Sequence, residues 1–223
     1  MAGALNLEIV DDPVISTHVL AGDASRHLRR TPKLMAALCV TPNIVRTEWL
    51  EESYKSKSLV NCSHFLLLND SYAEEAYSFS MKNTLREGNE RRGNGGLLAG
   101  WRVLFCDGVA GNKAPKEADL RMMVKAAGGV WMDKNEIPVP ITDDPTHVIA
   151  ITSDPPLSSQ LNDINAQVAA DNGAGFFTTS WLFDCMMHQK VSFAFLQLNR
   201  NFLNHAPLTI DFLKAFRNKE RIR

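Results

Sequence analysis

The sequence repeats itself, and the repeat narrows the folds open to it. Ser16-Thr17-His18-Val19-Leu20-Ala21 is matched by Pro145-Thr146-His147-Val148-Ile149-Ala150, and Val45-Arg46-Thr47-Glu48-Trp49-Leu50 by Phe177-Thr178-Thr179-Ser180-Trp181-Leu182. The two pairs are offset by 129 residues (Thr17 to Thr146) and 132 residues (Trp49 to Trp181), so they belong to one duplicated unit with a small insertion. A unit used twice has to be a supersecondary piece that folds in two similar copies. Each copy alternates short β-branched or apolar runs with amphipathic stretches, the pattern of parallel strands joined by helical crossovers. The expected class is therefore α/β, with each repeat a small parallel sheet flanked by helices.

The second copy reads most fully. Trp101 to Cys106 is a strand ended by Asp107-Gly108, and Pro115 to Ala127 is a helix with Leu120, Met123, Val124 and Ala127 on one face. Gly128-Gly129 stops that helix, and Val130-Trp131-Met132 starts the next strand. The apolar face of this helix is expected to pack on a linker helix and on the last helix of the first unit, Thr47 to Tyr54. Counted back from the THV segment, the first copy is short by one strand and most of a helix, so the first repeat is expected to be N-terminally incomplete. The expected division is 1–68 for the first repeat, 69–97 for a linker, 98–200 for the second repeat and 201–223 for a tail. Within the linker, apolar Tyr72, Ala76 and Phe79 predict a helix, and Glu87 to Gly96 reads as a flexible polar turn. A short helix is expected over Leu208 to Phe216.

Charge sets the first limit on function. Twenty-four basic against 25 acidic residues leave a net charge of −1, which provides no general basic field and argues against direct DNA binding. Any anion site has to be local. The four cysteines form no CxxC pair, so neither a zinc cluster nor a disulfide framework is signalled, and a reducing intracellular compartment is expected. No apolar stretch approaches the roughly 20 residues of a bilayer span, so no membrane partner is expected. Phosphate-binding glycine loops, nucleophile elbows and paired metal ligands are missing from the sequence, which predicts no cofactor, no metal, no catalytic residue and no enzyme activity. His18 and His147 share one place in the two repeats, as structural strand-end residues. Trp49 and Trp181 are expected core anchors.

One segment does carry local positive charge. Arg26, His27, Arg29 and Arg30 precede Thr31-Pro32-Lys33. Threonine followed by proline is a helix start with a capping side chain and a preset first residue, and the positive end of the helix dipole then lies beside Lys33. A phosphate is favoured in such a place.

Taken together, the THV strand and late tryptophan in duplicate, with the Gly-Gly of the second copy, resemble the tandem BRCT family over about Leu5 to Phe195. Within that family, the segments Leu28 to Leu34 and Ala76 to Met81 resemble the pairs of the mediator of DNA damage checkpoint, PTIP and fungal multi-BRCT replication-repair scaffolds. The resemblance implies a phosphopeptide-binding scaffold of the DNA damage response, located in the nucleus. Its partner would be a phosphorylated protein or a histone tail, such as the damage-phosphorylated tail of histone H-two-A. It also assigns roles: Lys33 to phosphate, Thr31 to support of that pocket, and Arg30 to peptide main chain or a C-terminal carboxylate. Asn112 and Lys113 would form the wall of the cleft between repeats. The Ser/Thr-Gly that completes the family's phosphate pocket falls in the part the first repeat lacks. The second repeat has Cys106-Asp107-Gly108 at that place, so one phosphate site at most is expected. A phosphate-independent interaction or architectural module is the alternative, and a DNA-end binder or regulatory domain of an enzyme is a third reading.

Overall fold

The computed structural model describes residues 1–22, 27–111, 114–133, 147–171 and 175–192. The expected helix over Leu208 to Phe216 lies outside them. Met1–Val191 form one compact unit that contains both copies of the repeat.

In the first copy, β1 (Val19–Leu20) and β2 (Ile44–Val45) pair in parallel, Val19 opposite Ile44. Helix α1 (Pro32–Val40) is the crossover between them, and α2 (Glu48–Lys55) follows β2. In the second copy, β3 (Trp101–Phe105), β4 (Val130–Met132), β5 (His147–Thr152) and β6 (Phe176–Thr178) form a parallel sheet in the order β4-β3-β5-β6. Its helices are α5 (Glu117–Ala126), α6 (Ser158–Leu161), α7 (Ile164–Asp171) and α8 (Thr179–His188). The α/β parallel architecture expected from the repeat is thus present. β1 and β5 are repeat equivalents, as are β2 and β6. Upstream of β1 the described residues form two 3-10 turns, Ala2–Leu5 and Pro13–Ile15, and no strand.

Trp49 and Trp181 are buried as expected. Trp49 donates its indole N–H to the Val60 carbonyl at 2.9 Å and stacks on His18 at 4.7 Å. Burial pushes the His18 pKa down. Trp181 packs against Phe177 at 4.1 Å.

Helix α1 decides how the copies join. Leu34 to Cys39 are buried without interruption, and a helix apolar on nearly every side has to be covered on several sides. It packs against α5, α8, the linker helix α4 (Met81–Gly93) and the Pro13–Ile15 turn. The main neighbours of α5 are thus α1, β4 and the Pro13–Ile15 turn, and the expectation that its apolar face would pack on a linker helix and on the last helix of the first unit is corrected. That helix, α2, buries only Trp49 and Ser53, too little apolar surface to serve two neighbours. Ala36 and Ala37 give α1 the low profile that close helix packing needs.

The linker also differs from expectation. A first helix, α3 (Ser71–Tyr77), is present, but Ala73 faces inward while Tyr72 and Ala76 are exposed. Glu87 to Gly93, read from composition as a flexible turn, is the second half of α4. Its buried face is Met81, Thr84, Leu85 and Gly88, a 3-and-4 spacing carried partly by a hydroxyl and a bare backbone, which hydrophobicity does not register. Thr84 donates to the Met187 carbonyl on α8, and Arg92 donates to the Leu38 carbonyl of α1 at 3.2 Å.

The turn from α4 into β3 packs on the glycine that follows α5. Gly128 has φ +78°, and a Cβ there would lie 2.1 Å from the Gly95 carbonyl oxygen. Gly128→Ala is expected to cost about 3 kcal/mol or more, because a left-handed backbone and a backbone clash coincide. Gly93, with no atom within 4 Å of its Cβ position, should accept alanine with a change of at most about 1 kcal/mol. Denaturant melts of the two variants measure this difference.

Candidate functional site

The segment His27 to Lys33 leads into α1 and carries the residues assigned to an anionic ligand. Thr31 is extended (φ −97°, ψ 155°) and caps α1: its Oγ1 accepts the Leu34 N–H at 3.2 Å. Its carbonyl accepts the Met35 N–H at 3.0 Å. Pro32 has no N–H, so among the described residues Lys33 alone offers an unbonded backbone N–H in this first turn. The cap itself takes up the Leu34 donor and leaves this one.

Lys33 is 57% exposed, and its ammonium pairs with Asp11, which is 96% exposed. Asp11 is carried there by the next two residues. Asp12 caps the Pro13–Ile15 turn through the Val14 N–H at 2.9 Å, and Pro13 is buried against the α1 side.

Arg30 is built into the structure more deeply than the sequence indicated. Its guanidinium donates to Asp184 on α8 at 3.1 Å and lies 5.2 Å from the Tyr77 ring and 5.6 Å from the Phe183 ring. It thereby joins α1's leading segment, the linker and the second copy. Burial pushes the Asp184 carboxyl up, against the opposing charges of Arg30 and His188. His188 contacts two backbone carbonyls, Asp184 at 2.8 Å and Ser78 at 2.9 Å.

Asp70 is the anchoring residue of this segment that sequence reasoning missed. Its carboxylate accepts the Leu28 N–H at 2.8 Å and the Ala73 N–H at 3.0 Å, capping α3 and anchoring the His27 to Lys33 segment at once. His27, stacked on Tyr72, adds a contact at 3.2 Å. Burial works to raise this carboxyl, but the two N–H donors and His27 outweigh it and hold the Asp70 pKa below its ordinary value. The available signal was Asn69-Asp70 immediately before a helical run, a capping pattern.

The assigned cleft-wall residues Asn112 and Lys113 lie outside the described residues. The Cys106-Asp107-Gly108 loop, which stands in the second copy where the phosphate pocket would be, is bonded from within. Buried Gln160 donates to the Asp107 carbonyl at 2.8 Å, and its Oε1 accepts from Ser153 N–H at 3.1 Å and Leu157 N–H at 3.1 Å. All four cysteines are free thiols, and burial pushes Cys39 up to about 11. Among the described residues no group of three His, Cys, Asp or Glu side chains could hold a metal ion, and no helix is long and apolar enough to cross a membrane.

Two parallel-sheet units joined through a central helix and a linker define the architecture of a tandem BRCT pair. The crystal structure of the S. pombe Brc1 BRCT5-BRCT6 domains matches with a TM-score of 0.63 over 86% of each chain, at 19% sequence identity. In sequence, the chain is 34% identical over 122 residues to PAX-interacting protein 1 of Bos taurus, covering 55% of this chain and 11% of that protein. The Mus musculus PAX-interacting protein 1 is 27% identical over 118 residues, covering 53% of this chain and 10% of that protein. The chain thus spans about a tenth of the length of these curated relatives. No family model matches it.

Two outcomes test this geometry. Arg30→Ala strands a half-buried carboxylate and should destabilise by about 1–3 kcal/mol, whereas Arg29→Ala, on an exposed residue, should change stability by less than about 0.5 kcal/mol. Asp70 has a depressed folded pKa, so its contribution is complete above the ordinary carboxylate range and is lost as pH falls through the folded value. Asp70→Asn should flatten the acid side of the stability profile below about pH 4, while Asp184→Asn, whose parent carboxyl is raised, should not; thermal melts between pH 2.5 and 7 separate them.

Proposed function

We propose that this tandem BRCT fold is a phosphopeptide-binding module of a nuclear DNA damage response scaffold, and that its first repeat holds the phosphate. The observation that carries the reading is the exposed Lys33 on the capped first turn of α1, with Arg30 three residues before it where the leading segment meets the linker and α8. A doubly charged phosphate is suited to a Lys ammonium, a helix N-terminus and one free backbone N–H. Thr31 serves by shaping the turn, since its hydroxyl is already used by the cap. Arg30 would meet peptide main chain, or a C-terminal carboxylate in exchange for Asp184. The internally satisfied loop around Gln160 supports a single phosphate site, in the first repeat. The near-zero net charge supports a protein ligand over a nucleic acid.

The phosphorylated tail of histone H-two-A is the ligand chemistry that fits best, a phosphoserine close to a free chain end. The alternative, a phosphate-independent interaction module, is favoured by the carboxylates already paired with Lys33 and Arg30. Fluorescence titration of the tail peptide with and without phosphate decides between them. The expected outcome is a preference of at least about tenfold for the phosphorylated form, equivalent to one charge-assisted hydrogen bond of about 1.5 kcal/mol. Lys33→Glu should remove that preference with a stability change under about 1 kcal/mol. Equal affinity for the two peptides would favour the phosphate-independent reading.

A further inference from the structure

The turn Gly93-Asn94-Gly95-Gly96 lies outside the proposed ligand site and has a chemistry of its own. Among the described residues Asn94 is the only asparagine followed by glycine. Glycine at that place leaves its amide nitrogen without a side chain of its own to shield it. Asn94 and Gly95 are both exposed, just beyond the end of α4. The Asn94 and Gly96 N–H groups each donate to the Arg91 carbonyl at 2.9 Å, whereas the Gly95 N–H between them makes no hydrogen bond among the described residues. The Asn94 side chain is engaged: its Nδ2 donates to the Glu90 carbonyl at 2.9 Å and so covers one of the last carbonyls of the helix.

We propose that Asn94-Gly95 is a site of spontaneous covalent modification, deamidation to aspartate and isoaspartate, and that its products loosen the turn joining α4 to β3. The Gly95 amide nitrogen, giving its proton to solvent, attacks Asn94 Cγ. A Cγ–N bond forms, the Cγ–Nδ2 bond breaks, and Nδ2 takes up a proton and leaves as ammonia. Water then opens the resulting succinimide at either carbonyl, so that no reactant besides water is needed. Ring closure requires the Glu90 bond and the Gly96 bond to open, and both sit at a helix end, where local opening costs little. The aspartyl product exchanges a donor for a carboxylate that faces the Glu90 carbonyl at the negative end of the α4 dipole. The isoaspartyl product carries the main chain through the side-chain carbon and lengthens it by one atom. The turn has no slack for that atom: a Cβ on Gly96 would lie 2.5 Å from the Ala127 carbonyl oxygen, and Leu98 N–H donates to the same oxygen at 2.7 Å. An exposed isoaspartyl residue is the substrate of an L-isoaspartyl carboxyl methyltransferase, which defines the class of enzyme that would act here. This inference is independent of the phosphate site.

The full chain, kept folded in mildly alkaline buffer at body temperature, tests this directly. Trypsin releases Gly93 to Arg102 as one fragment with Asn94 its single asparagine, and Asn172-Gly173 falls in a different fragment. The Gly93 to Arg102 fragment should gain the mass of an NH2-to-OH exchange at a rate within about tenfold of the same sequence as a free peptide, the turn opening readily. It should also accept a methyl group from S-adenosylmethionine in the presence of the isoaspartyl methyltransferase. The aged parent chain should melt at lower denaturant than the fresh one, and Asn94→Gln, which closes the ring far more slowly, should keep its fresh midpoint through the same incubation. An unchanged fragment in the folded chain after the free peptide has reacted overturns the proposal, since the turn then protects Asn94. Equal loss of stability in aged parent and aged Asn94→Gln, or no loss in a parent whose fragment has converted, overturns it as well. The mass and methylation readings use the parent chain alone, so they stand even if Asn94→Gln misfolds.

Discussion

Burial of α1 is the condition on which the rest of the structure depends. A nine-residue helix whose positions from Leu34 to Cys39 are all buried is not stable on the surface of a single small unit. It has to be enclosed, and here α5 and α8 of the second copy and α4 of the linker enclose it. At roughly 25 cal/mol per Å² of apolar surface, such a helix is a major share of the attraction between the copies. The same packing fixes the direction of its first turn, so that Thr31 and Lys33 emerge at the surface from a rigid support.

That arrangement was legible in the sequence in part. The duplication, the parallel α/β class, the tryptophan anchors and the Thr-Pro start of α1 were all readable, because each rests on local periodicity or local capping. The choice of partner for α5 was not. It depends on how many sides of α1 demand cover compared with α2, a comparison of whole surfaces that no single motif announces. α4 was hidden for a different reason: Thr84 and Gly88 occupy its inner face, and neither carries an apolar side chain of any size. Arg30 was recognised as a charge near a cleft, but its place between Tyr77, Phe183 and Asp184 joins residues more than 150 positions apart in sequence, beyond the reach of spacing arguments.

The proposed ligand site is charge-balanced before any ligand arrives. Lys33 has Asp11 and Arg30 has Asp184. Binding an anion there is therefore an exchange of partners, and its net gain is smaller than the attraction of two bare cations would give. The two exchanges are unequal. The Lys33 pair sits in water and opens at little cost, whereas the Arg30 pair is half-buried and stacked between two rings, where separation leaves a desolvated carboxylate behind.

Asp70 has a consequence in time as well as in energy. One carboxylate holds the first turn of α3 through Ala73 and the leading segment of α1 through Leu28. Neither can loosen alone without giving up a shared acceptor, so fraying of the linker helix and slackening of the segment that carries Arg30 and Lys33 are one opening event. The amide protons of Leu28 and Ala73, 45 residues apart in sequence, should then exchange with solvent at matched rates, behaving as a single cooperative unit of local unfolding.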